Sequence, residues 1–364
     1  MSIIIFLIIL FVLVLVHEWG HFIVAKKTGM RVDEFGIGFP PRLFGFTWRG
    51  TLYTFNLLPI GGFVSIYGEN AEATGSDGKK VDVSGSFTSK SKWAQTAVLF
   101  AGVIMNIAFA WLLLLFVFMI GVPTTVNEDT ASSAAVLVIQ SVLPESPAAT
   151  AGLPAGAEIL RLEADQTFID DPTPTQFREL TEATTDVLLI TYAVDGKTVT
   201  TSVTPQSGLL AGSEQKAIGV GLGYVETIHL SFVAAVAKAS TETIRLLGAI
   251  TVGLSTLIVE SIQGTADYSQ IAGPVGIVGL VSEAAAFGVI ALMMFTAIIS
   301  LNLAVINLLP FPALDGGRLI FVAIEAVIRR PINPVWVARI NGLGFVLLIL
   351  LMIAVTYSDI TKLL

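Results

Sequence analysis

Four stretches of the chain, 3–24, 94–120, 287–309 and 335–357, are almost continuously apolar. Each is long enough to cross a bilayer as a helix, which takes about 20 residues. Between the second and third the pattern changes to short runs with partial alternation. Residues 136–142, 158–162, 187–192 and 197–204 read as strands and 176–184 as a helix. Gly152, Pro154, Gly156 and the Asp195-Gly196 pair mark turns between them, the last suited to a hairpin. A further stretch, 231–262, mixes apolar residues with Lys238, Glu242, Arg245 and Glu260. Charges are costly at mid-bilayer, so this stretch reads as an amphipathic helix on the membrane surface, with a short re-entrant piece as the alternative, rather than a fifth span.

The pattern therefore predicts a multi-span α-helical membrane protein with four transmembrane helices and an inserted α+β domain. The expected segments are 1–120, a membrane part; 121–228, the inserted domain; 229–285, a membrane-surface segment; and 286–364, a second membrane part.

Composition agrees with the pattern. Of the 364 residues 54% are hydrophobic and 13% charged, against about 25% charged in soluble domains. Mean hydropathy is +0.81. The first span lacks a basic leader and a small-residue cleavage site, so it reads as retained. No cysteine is present, which excludes disulfides and thiolate metal sites. The net charge of −8 and scattered basic residues argue against a nucleic-acid face. Residues 25–93 hold nine Lys and Arg, whereas 121–285 holds 18 acidic residues against six basic ones. The positive-inside rule then puts 25–93 and 310–334 in the cytoplasm. Both termini and the inserted domain come out extracytoplasmic.

The first span ends in "HEWGH", residues 17–21. Residues four apart share a helix face, so His17 and His21 can present ring nitrogens to one ion. Glu18 beside them suits a general base, the arrangement of H-E-x-x-H zinc peptidases. Such groups are expensive in lipid and therefore point to function. A tetrahedral zinc needs a third protein ligand. His229, the only other histidine, lies far off in the expected topology. Asp315 in "NLAVINLLPFPALDGGRL", residues 302–319, follows the third span at the cytoplasmic end, the depth expected for His17 and His21. Pro310 and Pro312 interrupt the helix, and Gly316 and Gly317 permit a turn that swings Asp315 toward the bundle. Asp315 also suits the N-cap of the following helix, a bland role compatible with ligation.

Together, "HEWGH", "NLAVINLLPFPALDGG" and the insert resemble the site-2 protease family of intramembrane zinc metalloproteases. The closer likeness is to the bacterial branch that includes the regulator of sigma-E protease. "SPAATAGLPAGAEILRLEADQTF" resembles a PDZ pattern, "PIGGFVSIYGE" (59–69) the family's membrane re-entrant β-hairpin, "FAGVIMN" (100–106) its Gly-x-x-x-Asn segment, and "IAGPVGI" (271–277) the stretch before the third span.

The resemblance implies one zinc ion held by His17, His21 and Asp315, with Glu18 as the base. It implies that Asn302 and Asn307 hold an unwound substrate helix, while Gly61, Gly62 and Phe63 of the hairpin offer it a strand. The implied substrates are pre-trimmed transmembrane proteins such as anti-sigma factors or signal-peptide remnants, cut after an upstream site-1 protease in the bacterial inner membrane. The insert has room for about one PDZ domain, where the best-known member of the branch carries two. Two other classes stay open at this point: a PDZ-bearing membrane scaffold, and a metal or proton transporter. A transporter needs polar groups through the whole membrane depth, and here they cluster at one end.

Overall fold

The computed structural model describes residues 2–69, 85–132, 134–165, 167–194, 196–209, 215–265 and 272–363. Asp195 of the expected hairpin turn and Ile271 of "IAGPVGI" lie outside the described residues. The chain divides into two compact units, Phe118–Leu230 and the remainder, Met1–Val117 with Ser231–Leu364.

The larger unit opens with α1 (Ser2–Lys27), whose charge begins only at its C-terminal end apart from the histidine–glutamate cluster. Strands β1 (Val32–Trp48) and β2 (Thr51–Ile66) follow. They are longer than a simple hairpin uses, because each folds back on itself. Glu34 to Ile37 pair with Leu52 to Phe55 on one side and with Gly62 to Ser65 on the other, and Arg42 to Trp48 pair with the outer edge of Thr51 to Asn56. The result is a four-segment sheet in which 34–37 runs parallel to 52–55, the outer pairings are antiparallel, and the 62–66 segment forms one edge. The sequence suggested a hairpin confined to 59–69; the sheet instead begins at Val32.

The sheet's distal half leaves Leu43, Phe44, Phe46 and Trp48 more than half exposed. Phe44 stacks on Phe55 at 4.5 Å and Phe46 on Tyr53 at 5.4 Å. Aromatic cross-strand pairs of this kind stabilise a sheet by about 0.2–1 kcal/mol each.

Helix α2 (Lys92–Ile120) returns antiparallel to α1: His21 faces Val98, and His17 faces Asn106. The antiparallel crossing is close because Gly20 is a glycine. A Cβ there would sit 2.4 Å from the Ala101 carbonyl oxygen, and small residues are what let apolar helices approach in this way.

In the smaller unit, β3 (Val122–Val126) and β4 (Val136–Val142) are followed by the short α3 (Pro147–Thr150), then β5 (Glu158–Ala164) and β6 (Thr167–Asp170). After α4 (Pro174–Ala183) come β7 (Leu188–Val194), β8 (Lys197–Val203), the two-residue β9 (Gln206–Ser207) and β10 (Lys216–Ala217), and β11 (Val220–Ile228). The main sheet runs β3-β11-β4-β5-β7-β8, with β6 hydrogen-bonded to β5. Thr173 and Gln176 form a reciprocal capping box ahead of α4, with Pro174 in its first turn, so the sequence itself starts that helix. Ile139, Leu162, Leu188, Ile190 and Phe177 close the core between sheet and helix.

The larger unit resumes with α5 (Phe232–Gln263), α6 (Pro274–Ala286), α7 (Val289–Asn307), α8 (Asp315–Ile328) and α9 (Pro334–Leu363). Helix α7 runs parallel to α1. Ser2 at the start of α1 hydrogen-bonds Ser282 ahead of α7 at 2.8 Å, while the histidines near the end of α1 meet Asp315 just beyond α7. Ile9 and Leu13 pack with Val281, Leu292, Phe295 and Ile299 between those two ends. The Asp359 carboxylate on α9 accepts from the backbone N–H groups of Gly273 and Gly276, at 3.0 and 2.8 Å. It thereby satisfies the start of α6 from another helix.

Among the described residues five helices are long and apolar enough to cross a membrane: α1, α2, α5, α7 and α9. Sequence reading expected four. The difference is α5, whose charges weighed against a span. Two of those charges, Arg245 and Glu242, pair with each other one turn apart, and the stretch 246–259 carries none.

Candidate metal centre

His17 and His21 are each 7% exposed, held between α1 and α2. Their rings stand edge to face, centroids 4.7 Å apart, as the i, i+4 spacing requires. The Nε2 atoms lie 3.1 Å from each other and 3.0 and 3.2 Å from Oδ2 of Asp315. These three side chains are the one cluster among the described residues whose donor atoms converge as a metal site would need. Zinc bonded at about 2.0–2.1 Å in tetrahedral geometry holds its ligand atoms about 3.3 Å apart. The triangle needs only small outward shifts to match, so the residues present fit a zinc ion.

Asp315 reaches this position through a broken backbone. Helix α7 ends at Asn307, Pro310 and Pro312 prevent its continuation, and Ala313 adopts a left-handed φ of 75°. Leu314, not Asp315, is the N-cap of α8, and its side chain makes no capping bond. The carboxylate is turned to the histidines instead. Gly316 and Gly317 act differently from the sequence expectation. Both lie inside the first turn of α8, where a Cβ would strike the carbonyl oxygens of Leu309 and Phe311 at 2.1 and 2.2 Å. They supply space for α8 to press on the preceding loop rather than a turn. An ion pair between Arg318 and Glu69 and a 2.5 Å one between Glu325 and Lys92 hold α8 in place.

Glu18 is half-buried beside the cluster. His21 Nδ1 lies 2.7 Å from the Val98 carbonyl oxygen. A carbonyl only accepts, so a proton sits on Nδ1, and Nε2 is the nitrogen that faces Asp315.

The hairpin residues reach the same end of α1. Gly61 has a φ of 124°, and a Cβ there would meet Val14, one turn before His17, at 3.0 Å. Gly62 lies against the Gly36 carbonyl, and Phe63 stacks on Phe39 at 6.1 Å. The asparagines of α7 differ from each other. Asn302 donates to the Ile298 carbonyl of its own helix at 2.9 Å. Asn307 closes the helix, half-buried. His229 is outside the cluster and packs on Gly121 in the smaller unit.

Two residues of the site had no role assigned from sequence. A Cβ on Gly102 would lie 2.5 Å from Nε2 of His21 and 2.8 Å from Nε2 of His17. Asn106, fully buried, places Nδ2 3.3 Å from Nδ1 of His17. The available signal was their spacing: a glycine and an asparagine four apart occupy one face of an otherwise apolar helix.

A carboxylate and two imidazoles converge at the end of a bilayer-length helix, with a glutamate beside them, an arrangement that can hold a metal ion. Comparison with known proteins gives the class. The chain belongs to Peptidase family M50, whose sequence profile matches residues 5–351. It is similar to the regulator of sigma-W protease RasP of Bacillus subtilis, 30% identical over 436 aligned positions that cover 100% of this chain and 99% of that protein. The zinc metalloprotease RasP of Bacillus licheniformis shows the same identity and coverage. A protein of Clostridium perfringens is 34% identical over 96% of this chain and 95% of its own length.

Proposed function

We propose that this protein is an intramembrane zinc metalloendopeptidase of the site-2 type, with His17, His21 and Asp315 as zinc ligands and Glu18 as the general base. The observation that carries this reading is the convergence of three donor atoms within 3.2 Å of one another beside a glutamate in an apolar helix.

Zinc in that cradle supplies Lewis acidity toward a peptide carbonyl and the attacking water. Glu18 takes a proton from the water as it attacks and passes it to the leaving amine. The substrate is the transmembrane segment of a membrane protein. Its carbonyls are tied up in i to i−4 hydrogen bonds, so the segment unwinds before it is cut. The 62–66 edge of the sheet supports this step: among the described residues its pairings are all to Val32–Ile37, which leaves the other edge for an added strand. Gly61, Gly62 and Phe63 sit at the start of that edge. Asn307, at the end of α7, has its amide near the break that carries Asp315 and suits contact with exposed substrate backbone. Asn302 serves the same strand less directly, because its amide is engaged within its own helix.

Four crossings are supported over five. Helices α1 and α7 are parallel and enter from the same face, so the connection between α2 and α7 makes an even number of crossings. Helix α5 is a single element, and ten residues separate its end from α6. Ten residues are too few for a second helical crossing, which takes about 20. Helix α5 therefore lies at the membrane surface. The basic 25–93 segment faces the cytoplasm, and the termini and the smaller unit face outward. The exposed aromatic half of the β1–β2 sheet fits a re-entrant position in the membrane interface.

The smaller unit is PDZ-like. A groove of about 520 Å³ runs between α4 and the start of β11, lined by Phe177, Thr181, Ile218, Val220 and Leu222. The name of the Bacillus subtilis relative supports substrates in sigma-factor control, such as anti-sigma factors already trimmed by a site-1 protease. Removal of residues 130–224 is expected to abolish any preference for trimmed over full-length substrate while cleavage of the trimmed form persists. Competition between the two forms in one reaction measures this, and unchanged selectivity would count against a gating role.

Cleavage of a tagged single-span substrate by the purified full chain in detergent tests the function itself. About one zinc per chain and cleavage lost with a chelator and restored by zinc are expected. A chain that binds no zinc would overturn the reading.

A further inference from the structure

Asn106 presents an unusual pair of facts. It is 0% exposed, its Nδ2 faces Nδ1 of His17 at 3.3 Å, and its Oδ1 has no hydrogen-bond partner. A buried amide oxygen left unpaired is destabilising, so its position calls for a physical reason. The backbone of the same residue is firmly held: Ser300 on α7, also 0% exposed, donates its hydroxyl to the Asn106 carbonyl at 2.8 Å. The side chain can therefore turn without moving the helix.

The two histidines differ at their outer nitrogens. His21 is fixed in one tautomer by the acceptor-only Val98 carbonyl. His17 meets a carboxamide, which can donate from one end or accept at the other. With no ion present, His17 can keep its proton on Nε2, directed at Oδ2 of Asp315 3.0 Å away. Its Nδ1 then accepts from the amide Nδ2 that it faces. A metal-ligating Nε2 carries no proton, so Nδ1 must carry one, and the group facing it must accept. A half-turn of the Asn106 carboxamide brings the unpaired Oδ1 to that place.

We propose that Asn106 is a positioning residue for His17, whose carboxamide turns so that Oδ1 accepts the Nδ1 proton of His17 when Nε2 binds metal. The inference rests on the ligand set given under Proposed function. Outer partners of this kind orient metal-bound histidines, and losing one lowers metal affinity about 10–100-fold. Asn106 thus matches either tautomer of His17, where Val98 matches one of His21.

Zinc affinity of the full chain in detergent, by competition with a chromophoric chelator, provides the test with Asn106→Leu and Asn106→Asp. The Leu variant, near in volume and unable to accept, is expected to bind zinc about 10–100-fold more weakly. The Asp variant, which only accepts, is expected to bind at least as tightly as the parent chain. Nitrogen-15 labelling of the three histidines adds a readout independent of activity. The zinc-loaded parent and Asp variant should show protonated Nδ1 on His17, and the Leu variant should lose or shift that signal. Should the Leu variant not fold, Asn106→Ala carries the same expectation. Equal weakening by Asp and Leu would mean the residue only fills space and would overturn the inference, as would parental affinity in the Leu variant. Failure of the parent chain to bind zinc would instead strike the ligand assignment.

Discussion

Glu18→Gln is expected to reduce peptide-bond cleavage by at least about 100-fold, and up to about 10⁴-fold, the range for losing a positioned general base, with zinc still bound. The substitution is nearly isosteric, and Glu18 is not among the three residues whose donor atoms converge. The amide cannot take a proton from water or return one to the leaving amine. Metal content measured beside the cleavage rate separates this loss from a collapsed site. A scaffold or a transporter would keep its activity in the same variant, so a Glu18→Gln chain that still cleaves would remove the hydrolytic mechanism. Loss of both zinc and cleavage would instead mean that Glu18 helps to hold the metal.

The second large effect is expected at Gly102. A methyl group there would press on both histidines at 2.5–2.8 Å, inside the 3.4 Å at which ordinary contact begins. Neither ring has room to retreat. His21 is tied to the Val98 carbonyl, and α1 cannot withdraw as a unit because Gly20 already seats it against Ala101. Gly102→Ala is therefore expected to lower zinc affinity by about 100-fold or more, beyond the usual effect of losing one outer partner, and to abolish cleavage. Gly248→Ala is the matched control: it too lies within a helix, but nothing stands within 4 Å of its Cβ position. Alanine should be neutral or slightly stabilising there. Zinc affinity unchanged in Gly102→Ala would show that the two helices can part at little cost, which close packing around the site argues against.

How much of this was legible beforehand differs element by element. Helices α1, α2, α7 and α9 follow from almost continuously apolar runs, because a helix in apolar surroundings satisfies its backbone internally. The strands at 136–142 and 197–203 follow from alternation and turn residues. The sheet from Val32 to Ile66 was read only at its last segment. Its earlier segments lack clean alternation, since both strands fold back and each part faces different surroundings. Helix α5 was ambiguous for a related reason: composition counts its charges singly, whereas Arg245 and Glu242 neutralise each other.

The sequence by itself determined which polar groups gather at the end of α1. His17, Glu18 and His21 are bound to one another by helical spacing, and any helix over that stretch puts both imidazoles on one face. It also named Asp315, because two prolines place a carboxylate after a span at the matching depth. Tertiary structure alone decided what surrounds those groups. The contact of Gly102 with both ring nitrogens, the Val98 carbonyl on His21 and the Asn106 amide on His17 arise where α2 crosses α1, some 80 residues away in sequence. Such contacts depend on the register of two apolar helices, and the apolar pattern specifies only that the helices exist. Their register is set by which small residues let the backbones approach, a property of the pair and not of either helix alone.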